Sequence, residues 1–278
     1  MNIVFIADFF ADQILGGGEL NNKELVELLI DEGHDVKRIN SHFVTREIIE
    51  DQKANHFIVA NFMNLPRECI ASLYDKKYII YEHDHKYLIN RNPALFKDFI
   101  APEERMINLG FYRKAKAIIC QSQFHMEIVR KNLKLDSLIN VGGNLWSEDS
   151  LALMAEFAAI PKTDTYAILD SEIEHKNTRE TVMYCEHKKL DYKLVKSDDY
   201  SDFLQQLGSH KTFVFLPKTP ETLSRVAVEA RMMGMSVIAN KMIGATREPW
   251  FSQKGLELIE TMRGKRKEIK DIVLGALT

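Results

Sequence analysis

What this chain of 278 residues lacks narrows it first. Its three cysteines, Cys69, Cys120 and Cys185, lie far apart and form no CxxC pair. That spacing offers neither a disulfide framework nor a zinc site, and it points to a reducing cytoplasm. No run approaches the roughly 18 consecutive apolar residues of a membrane span. The opening MNIVFIADFF has no basic region, and Asp8 interrupts its apolar run, so it is expected to be a first strand rather than a signal peptide. There is no excess of positive charge. A formal net charge of −3 gives no global reason to expect nucleic-acid binding, although it leaves a local basic face open. No repeat or low-complexity segment is visible. What is present, 45% apolar and 28% charged residues, is the composition of a soluble globular protein long enough for two domains.

The apolar patterning is that of an α/β protein. A strand over 2–7 leads to the loop Gly16-Gly17-Gly18-Glu19, and then to a helix with Leu25, Leu28 and Leu29 at i, i+3, i+4 that stops at Gly33. A second strand starts at Asp35. This β-Gly-loop-α-β opening predicts a Rossmann-like half-sheet. A nicotinamide enzyme would need GxGxxG and an acidic residue closing the second strand, and neither is here. Further strands are expected at 56–61, 78–81, 117–120 and 138–141, with helices opened by Pro66 and Pro102 and one capped by Ser122. The expected organisation is an N-terminal domain over 1–145, a linker over 146–164 with a short helix, a second α/β domain over 165–248, and a helical tail over 249–278 crossing back to the first domain. The second domain has strands at 166–169, 192–196, 213–216 and 237–239. Two such halves imply a cleft, a favoured place for ligands.

The stretch 212–240 is the most informative. A buried strand runs into a loop broken by Pro217 and Pro220. A helix follows, with Ser224 as expected N-cap, a buried stripe of Val226, Ala227, Ala230 and Met233, and Gly234 to end it. Glu221 and Glu229 frame the joint. Two readings stand side by side: solvated glutamates, or carboxylates that hold a ligand's hydroxyls near a helix N-terminus. The segment Tyr81-Glu82-His83-Asp84-His85-Lys86-Tyr87 likewise follows a strand and is dense in titratable groups. It reads as a surface loop, as two metal ligands at His83 and His85 without a third, or, preferably, as a site loop that contacts a sugar. Asp170, Glu172, Glu174, His175 and Lys176 follow another strand edge, where Lys176 would matter opposite a diphosphate.

Taken together, the pattern P-x3-E-x7-E-A at Pro217, Glu221, Glu229 and Ala230, followed by Gly234 and Val237-Ile238-Ala239, resembles the signature of retaining GT-B glycosyltransferases of the family-4 type. Gly16-Gly17-Gly18-Glu19 is similar to that family's Gly-Gly-Ala-Glu loop. His83-Asp84 sits where the family has His-Asp or a lone His after a strand. Ala115-Lys116-Ala117 leading to Ser122, and residues 170–177, resemble two further segments, so the likeness extends along most of the chain. The resemblance implies a GT-B fold, two Rossmann-like domains facing across a cleft. The first would be the acceptor side and the second the nucleotide-sugar side. It implies a retaining glycosyltransferase whose donor substrate is a nucleotide-diphosphate sugar, most naturally a UDP-sugar, with no bound metal or other cofactor. The absence of a DxD triplet agrees with that.

Residue by residue, the resemblance implies catalytic roles for Glu221, His83 and Asp84. Glu229 would accept hydrogen bonds from the ribose, and Lys176 would neutralise the departing diphosphate. Gly16, Gly17, Gly18, Thr222, Leu223, Ser224 and Arg225 would line the donor and its phosphates. The departures are local. The family's Gly-Arg turn reads Asp170-Ser171, so a phosphate-binding Arg is missing. Its Glu-Gly-Phe-Gly loop reads Glu221-Thr222-Leu223-Ser224, which removes both glycines. Arg225 is the expected replacement cation, with the Ser224 and Thr222 hydroxyls replacing loop contacts. The acceptor would be a glycan, a lipid-linked sugar or modified DNA. The basic groups Arg113-Lys114-x-Lys116, Arg130-Lys131-x-x-Lys134 and Arg263 to Lys267 suit anionic lipid or a nucleic-acid backbone. The compact size is similar to that of small phage glycosyltransferases, some of which act on hydroxymethylated bases in DNA. Such an enzyme must flip its base, for which Tyr87, Phe111, Tyr112 or Trp146 would supply an aromatic wedge. A GT-B epimerase or an inactive sugar-nucleotide-binding module are the alternatives of another class. Localisation is expected to be cytoplasmic, and the sequence leaves the oligomeric state open.

Overall fold

Short apolar runs separated by helices pair in parallel, because only a crossover of a dozen or more residues brings the next strand back in the same direction. The computed structural model describes residues 1–51, 53 and 56–278, and it follows this rule in two separate units. The first comprises Met1–Leu145 with Arg266–Thr278 and the second Trp146–Lys265.

In the first unit, β1 (Asn2–Ala7), α1 (Gly17–Asp31), β2 (Asp35–Asn40), α2 (Arg46–Glu50), β3 (His56–Val59), α3 (Arg67–Leu73), β4 (Tyr78–Tyr81), α4 (Leu109–Lys114), β5 (Ala117–Cys120), α5 (Gln123–Leu133) and β6 (Leu138–Asn140) follow one another. The strands form a six-stranded sheet in the order β2-β1-β3-β4-β5-β6, with every pairing parallel. Alternation along β1 sends Val4 and Ile6 into the core on one face and Ile3, Phe5 and Ala7 into the core on the other. The Ser122 hydroxyl accepts the His125 backbone N–H and caps α5 as the sequence predicts. Pro102, by contrast, opens only a short 3-10 turn.

The second unit carries α6 (Glu148–Ala159), β7 (Thr163–Leu169), α7 (Thr178–His187), β8 (Tyr192–Val195), α8 (Tyr200–Gly208), β9 (His210–Phe215), α9 (Arg225–Met232) and β10 (Ser236–Ala239). Its parallel sheet has the order β10-β9-β7-β8. Gly234 ends α9 at φ +81°, a conformation that glycine adopts without steric cost. The expected linker is not a free connector. Trp146, Leu151, Met154 and Phe157 belong to the second unit's core, because α6 has an apolar face that must be covered.

The final helix, α10 (Leu256–Leu277), gives Leu258, Ile259 and Met262 to the second unit's core and Ile269, Val273 and Leu277 to the first's. Three of its basic residues form ion pairs, of which only that of Arg266 is largely buried, while Lys267 stays exposed. Arg263 pairs with Glu148 at 2.8 Å and with Glu260. Arg266 pairs with Glu24 at 2.8 Å, and Lys267 with Asp271 at 2.7 Å. Among the described residues no helix is long and apolar enough to cross a membrane.

Leu151→Ala should cost about 2–5 kcal/mol in a denaturant titration, as for a buried leucine. A residue in an exposed linker would shift stability by no more than about 0.5 kcal/mol.

Candidate functional site

Open parallel sheets bind ligands beyond the carboxyl ends of their strands, where the strand order reverses. In the second unit that point lies at β7 and β9, because the chain leaves β7 toward β8 on one side and returns as β9 on the other. Lys176 follows β7 and Glu221 follows β9, and the sheet brings them together. The Lys176 ammonium lies 2.8 Å and 3.1 Å from the two Glu221 oxygens. Asn177, at φ 63°, ties the first loop to the second by donating to the Leu216 carbonyl at 2.7 Å.

The loop after Glu221 is held by the one after β10. Glu221 N–H donates to Met242 O at 2.8 Å, Gly244 N–H to Glu221 O at 3.0 Å, and Ala245 N–H to Leu223 O at 2.9 Å. These backbone bonds fix the path of the loop. Leu223 is a core residue, 1% exposed, so its side chain is not a donor-lining group as expected. Thr222 is half-buried. Ser224 occupies the N-cap position of α9 but does not cap it. It adopts φ 79° and ψ 85°, and its buried hydroxyl makes no hydrogen bond among the described residues. A non-glycine residue held there stores about 1–3 kcal/mol of backbone strain, and α9 is left with its first-turn N–H groups unserved by a side-chain cap.

The reading of Glu229 as a solvated helix residue fails. Its carboxylate is 3% exposed and accepts from Trp146 Nε1 at 2.9 Å and from the Tyr200 hydroxyl at 2.7 Å. Arg225 is also buried. Its guanidinium lies 4.5 Å from the centre of the Trp146 ring, and its Nε is 3.4 Å from the same carboxylate oxygen. The expected replacement cation thus shares its charge with Glu229. Trp146 is the stacking platform inside this cluster, 1% exposed, and not an aromatic wedge.

In the first unit the order reverses at β1 and β3. Gly16 is the N-cap of α1, and Gly17 and Gly18 begin it. A Cβ at Gly16 would lie 2.2 Å from the Glu19 Oε2, so the Glu19 side chain, which is flexible, would have to move aside for it. Gly18 lies against the His83 ring, its Cβ direction 3.5 Å from Cγ. His83 Nε2 is 2.6 Å from Asn22 Oδ1. The glycine loop and His83, far apart in sequence, therefore share one edge.

The rest of the titratable segment is not a surface loop. Glu82, His85, Lys86 and Tyr87 are all buried. Lys86 Nζ lies 2.8 Å from Glu82 and 2.6 Å from Asp84, while the Tyr112 hydroxyl donates to the other Glu82 oxygen. Burial would raise the Asp84 pKa, but the Lys86 ammonium and then Arg91 outweigh it and hold the carboxyl down to about 2. Burial pushes Glu82 up, with Lys86 opposing. His85 and His125 meet edge to face at 5.2 Å. Burial depresses both, His85 to about 4 and His125 well below its usual range. His85 Nδ1 is 3.0 Å from the Tyr87 hydroxyl, while His83 faces Asn22, so the two histidines serve different contacts. Among the described residues no group of three or more His, Cys, Asp or Glu could hold a metal ion. Tyr87, Phe111 and Tyr112 are fully buried and cannot act as wedges as they stand.

Several site residues escape sequence reasoning. Tyr200, Asn22 and Asn61 are brought in by the sheets and carry no motif. Glu19 was visible only as the last letter of the glycine loop.

No family model and no curated protein matches the sequence. Solved structures do match the fold along nearly its whole length. An alpha-glucosyltransferase in complex with UDP and a 13-mer DNA containing an HMU base superposes with TM-score 0.53 at 10% identity, over 98% of this chain and 95% of that one. The fold is GT-B. Anabaena Alr3699/HepE, in complex with UDP and glucose, gives 0.54 at 13% identity over 100% and 94% of the two chains. A glycosyltransferase from Rickettsia africae gives 0.55 at 13% identity over 99% and 93%. Identities this low establish the GT-B architecture alone, which is two Rossmann-like parallel units as described above.

The buried histidines set an acid limit. A histidine kept neutral binds fewer protons folded than unfolded. The stability tied to His85 is therefore full above pH 6.5 and is lost as pH falls from 6.5 toward about 4. The slope should be at most about 1.4 kcal/mol per pH unit per histidine, and His85→Asn should flatten it between urea titrations at about pH 7 and about pH 4.5. Lys86→Met should cost about 3–5 kcal/mol, because it strands a buried carboxylate, and Glu82→Leu added to it should recover part of the loss.

Proposed function

We propose that this chain is a glycosyltransferase that moves a sugar from a UDP-sugar to an acceptor hydroxyl, with retention at the anomeric carbon. The observation that carries the reading is the Lys176–Glu221 pair at the reversal point of the second sheet, three residues before an uncapped helix N-terminus with the unpartnered Ser224 hydroxyl. An anion fits there. The first-turn N–H groups of α9 and the Lys176 ammonium supply donors and positive charge for a diphosphate as it leaves. When Lys176 turns to the diphosphate it releases Glu221, whose carboxylate then faces the donor sugar's hydroxyls and the positive charge that builds at the anomeric carbon. Glu229, fixed by Trp146 and Tyr200, takes the ribose hydroxyls. Retention rests on the resemblance of the Glu221/Glu229 pair to the retaining family's signature. The UDP-bound GT-B structures of like fold support the nucleotide.

For the acceptor, a hydroxymethylated base in DNA is a second reading, supported by one structure of like fold bound to DNA with an HMU base. The exposed Arg113, Lys114, Lys116, Arg130, Lys131 and Lys134 directly precede β5 and β6 and so lie at the amino ends of the strands, at the other edge of the sheet from the glycine loop and His83, and they do not bear on the acceptor.

Calorimetric titration with UDP should show binding by the wild type that Lys176→Ala weakens. Glu221→Ala should lower transfer from UDP-glucose by about 10²–10³-fold. Full transfer by that variant would sink the site assignment. Interconversion of free sugar nucleotides would indicate an epimerase, and UDP binding without turnover a non-catalytic module.

A further inference from the structure

The first unit holds one carboxyl group that its own structural needs do not fully explain. Glu19 lies in the first turn of α1, at the reversal point of β1 and β3, where a doubly wound sheet opens its ligand crevice. Its carboxylate folds back over Gly16, and its Oε1 lies 3.5 Å from the Asn61 amide at the end of β3. Gly18 precedes it in α1, and the His83 ring lies 3.5 Å from where a Cβ on Gly18 would stand. Unlike Asp8, which is used up by the Met63 and Asn64 N–H groups at 3.0 Å each and by the Ser41 hydroxyl, Glu19 is only half-buried and lacks an ion-pair partner within salt-bridge distance among the described residues. The cation that acts on it, Lys86, is committed to Glu82 and Asp84.

We propose that Glu19 is an acceptor-binding residue, receiving the hydrogen bond of the acceptor's reacting hydroxyl. The charges around it favour a neutral group over an anion. Asp8, just after β1, and Asp84, in the loop after β4, add negative charge at Glu19, against the already engaged Lys86. A neutral O–H donor satisfies a half-desolvated carboxylate without adding negative charge, whereas a phosphate at that point would meet three carboxylates. Burial pushes the Glu19 carboxyl up, with its own backbone N–H and Lys86 opposing. A carboxylate so placed is a stronger hydrogen-bond acceptor than a solvated one. The inference rests on the glycosyltransferase reading and adds which residue meets the acceptor and what chemical group it meets there.

Glu19 is also the third residue of α1, from which a side chain can reach back to the helix N-terminus. Glutamine serves that capping role as well as glutamate, so Glu19→Gln separates the two roles. The experiment compares wild type and Glu19→Gln with UDP-glucose and two acceptor probes, methyl glucoside and duplex DNA carrying 5-hydroxymethyluracil. The melting temperature and the calorimetric Kd for UDP should stay unchanged. The acceptor KM should rise at least about tenfold, or kcat/KM fall by about 10²-fold, with whichever probe the wild type uses. That probe also tells a sugar hydroxyl from a base hydroxyl. Unchanged acceptor kinetics in Glu19→Gln, beside an active wild type, would overturn this inference and leave the transferase reading standing. A parallel loss of UDP binding would overturn it too, by placing Glu19 on the donor side. Failure of the wild type to bind UDP or release it from UDP-glucose would bring down both.

Discussion

The arrangement depends on one constraint: parallel strands whose order reverses once in each sheet. In the second unit the reversal leaves the loops after β7 and β9 next to each other with no strand between them. Lys176 and Glu221, 45 residues apart, meet there as an ammonium–carboxylate pair. The rest of that edge adjusts to the pair. The loop after β10 pins Glu221 and Leu223 through backbone bonds, Asn177 ties down the Leu216 carbonyl, and Ser224 accepts a strained left-handed conformation to start α9. Strain of this kind persists where the surroundings over-determine it, and functional sites are where it collects.

The first unit solves a different problem. It carries ionisable groups inward at the end of β4, and an isolated buried charge is too costly to keep. The solution is a compact network in which Lys86 serves Glu82 and Asp84 and Tyr112 completes Glu82. The same burial keeps His85 and His125 neutral. What reaches the surface is a small set beside the glycine loop: His83, the partly exposed Asp84, and Glu19. A rigid polar base under a few accessible groups holds them in fixed orientation without their having to order on binding.

Much of the fold was legible because strands buried on both faces write themselves as apolar runs, and because Ser122, Gly33 and Gly234 punctuate the helices. The site was legible where a motif spans a short stretch, as at Glu221 and Glu229. It was not legible where burial decides. Leu223 and Arg225 fall in the same motif, yet Leu223 belongs to the core and Arg225 stacks on Trp146. The density of charge in residues 81–87 reads as a site loop or a surface loop and not as a buried network, since local composition cannot tell a solvated carboxylate from one paired with a buried lysine. The segment 146–164 read as a linker because the apolar face of one short helix does not say whether anything covers it.

The sequence by itself determined the parallel α/β class, the glycine loop, the succession of strands and helices, and the two glutamates of the Glu-x7-Glu pattern, because each depends on interactions within about a dozen residues of chain. Only the tertiary structure decided that Lys176 faces Glu221, that Trp146 and Tyr200 hold Glu229, that Gly18 rests on His83, and that Lys86 is buried between two carboxylates. Those contacts join residues tens of positions apart. Strand order and burial set them, and neither is written in any single stretch of the chain.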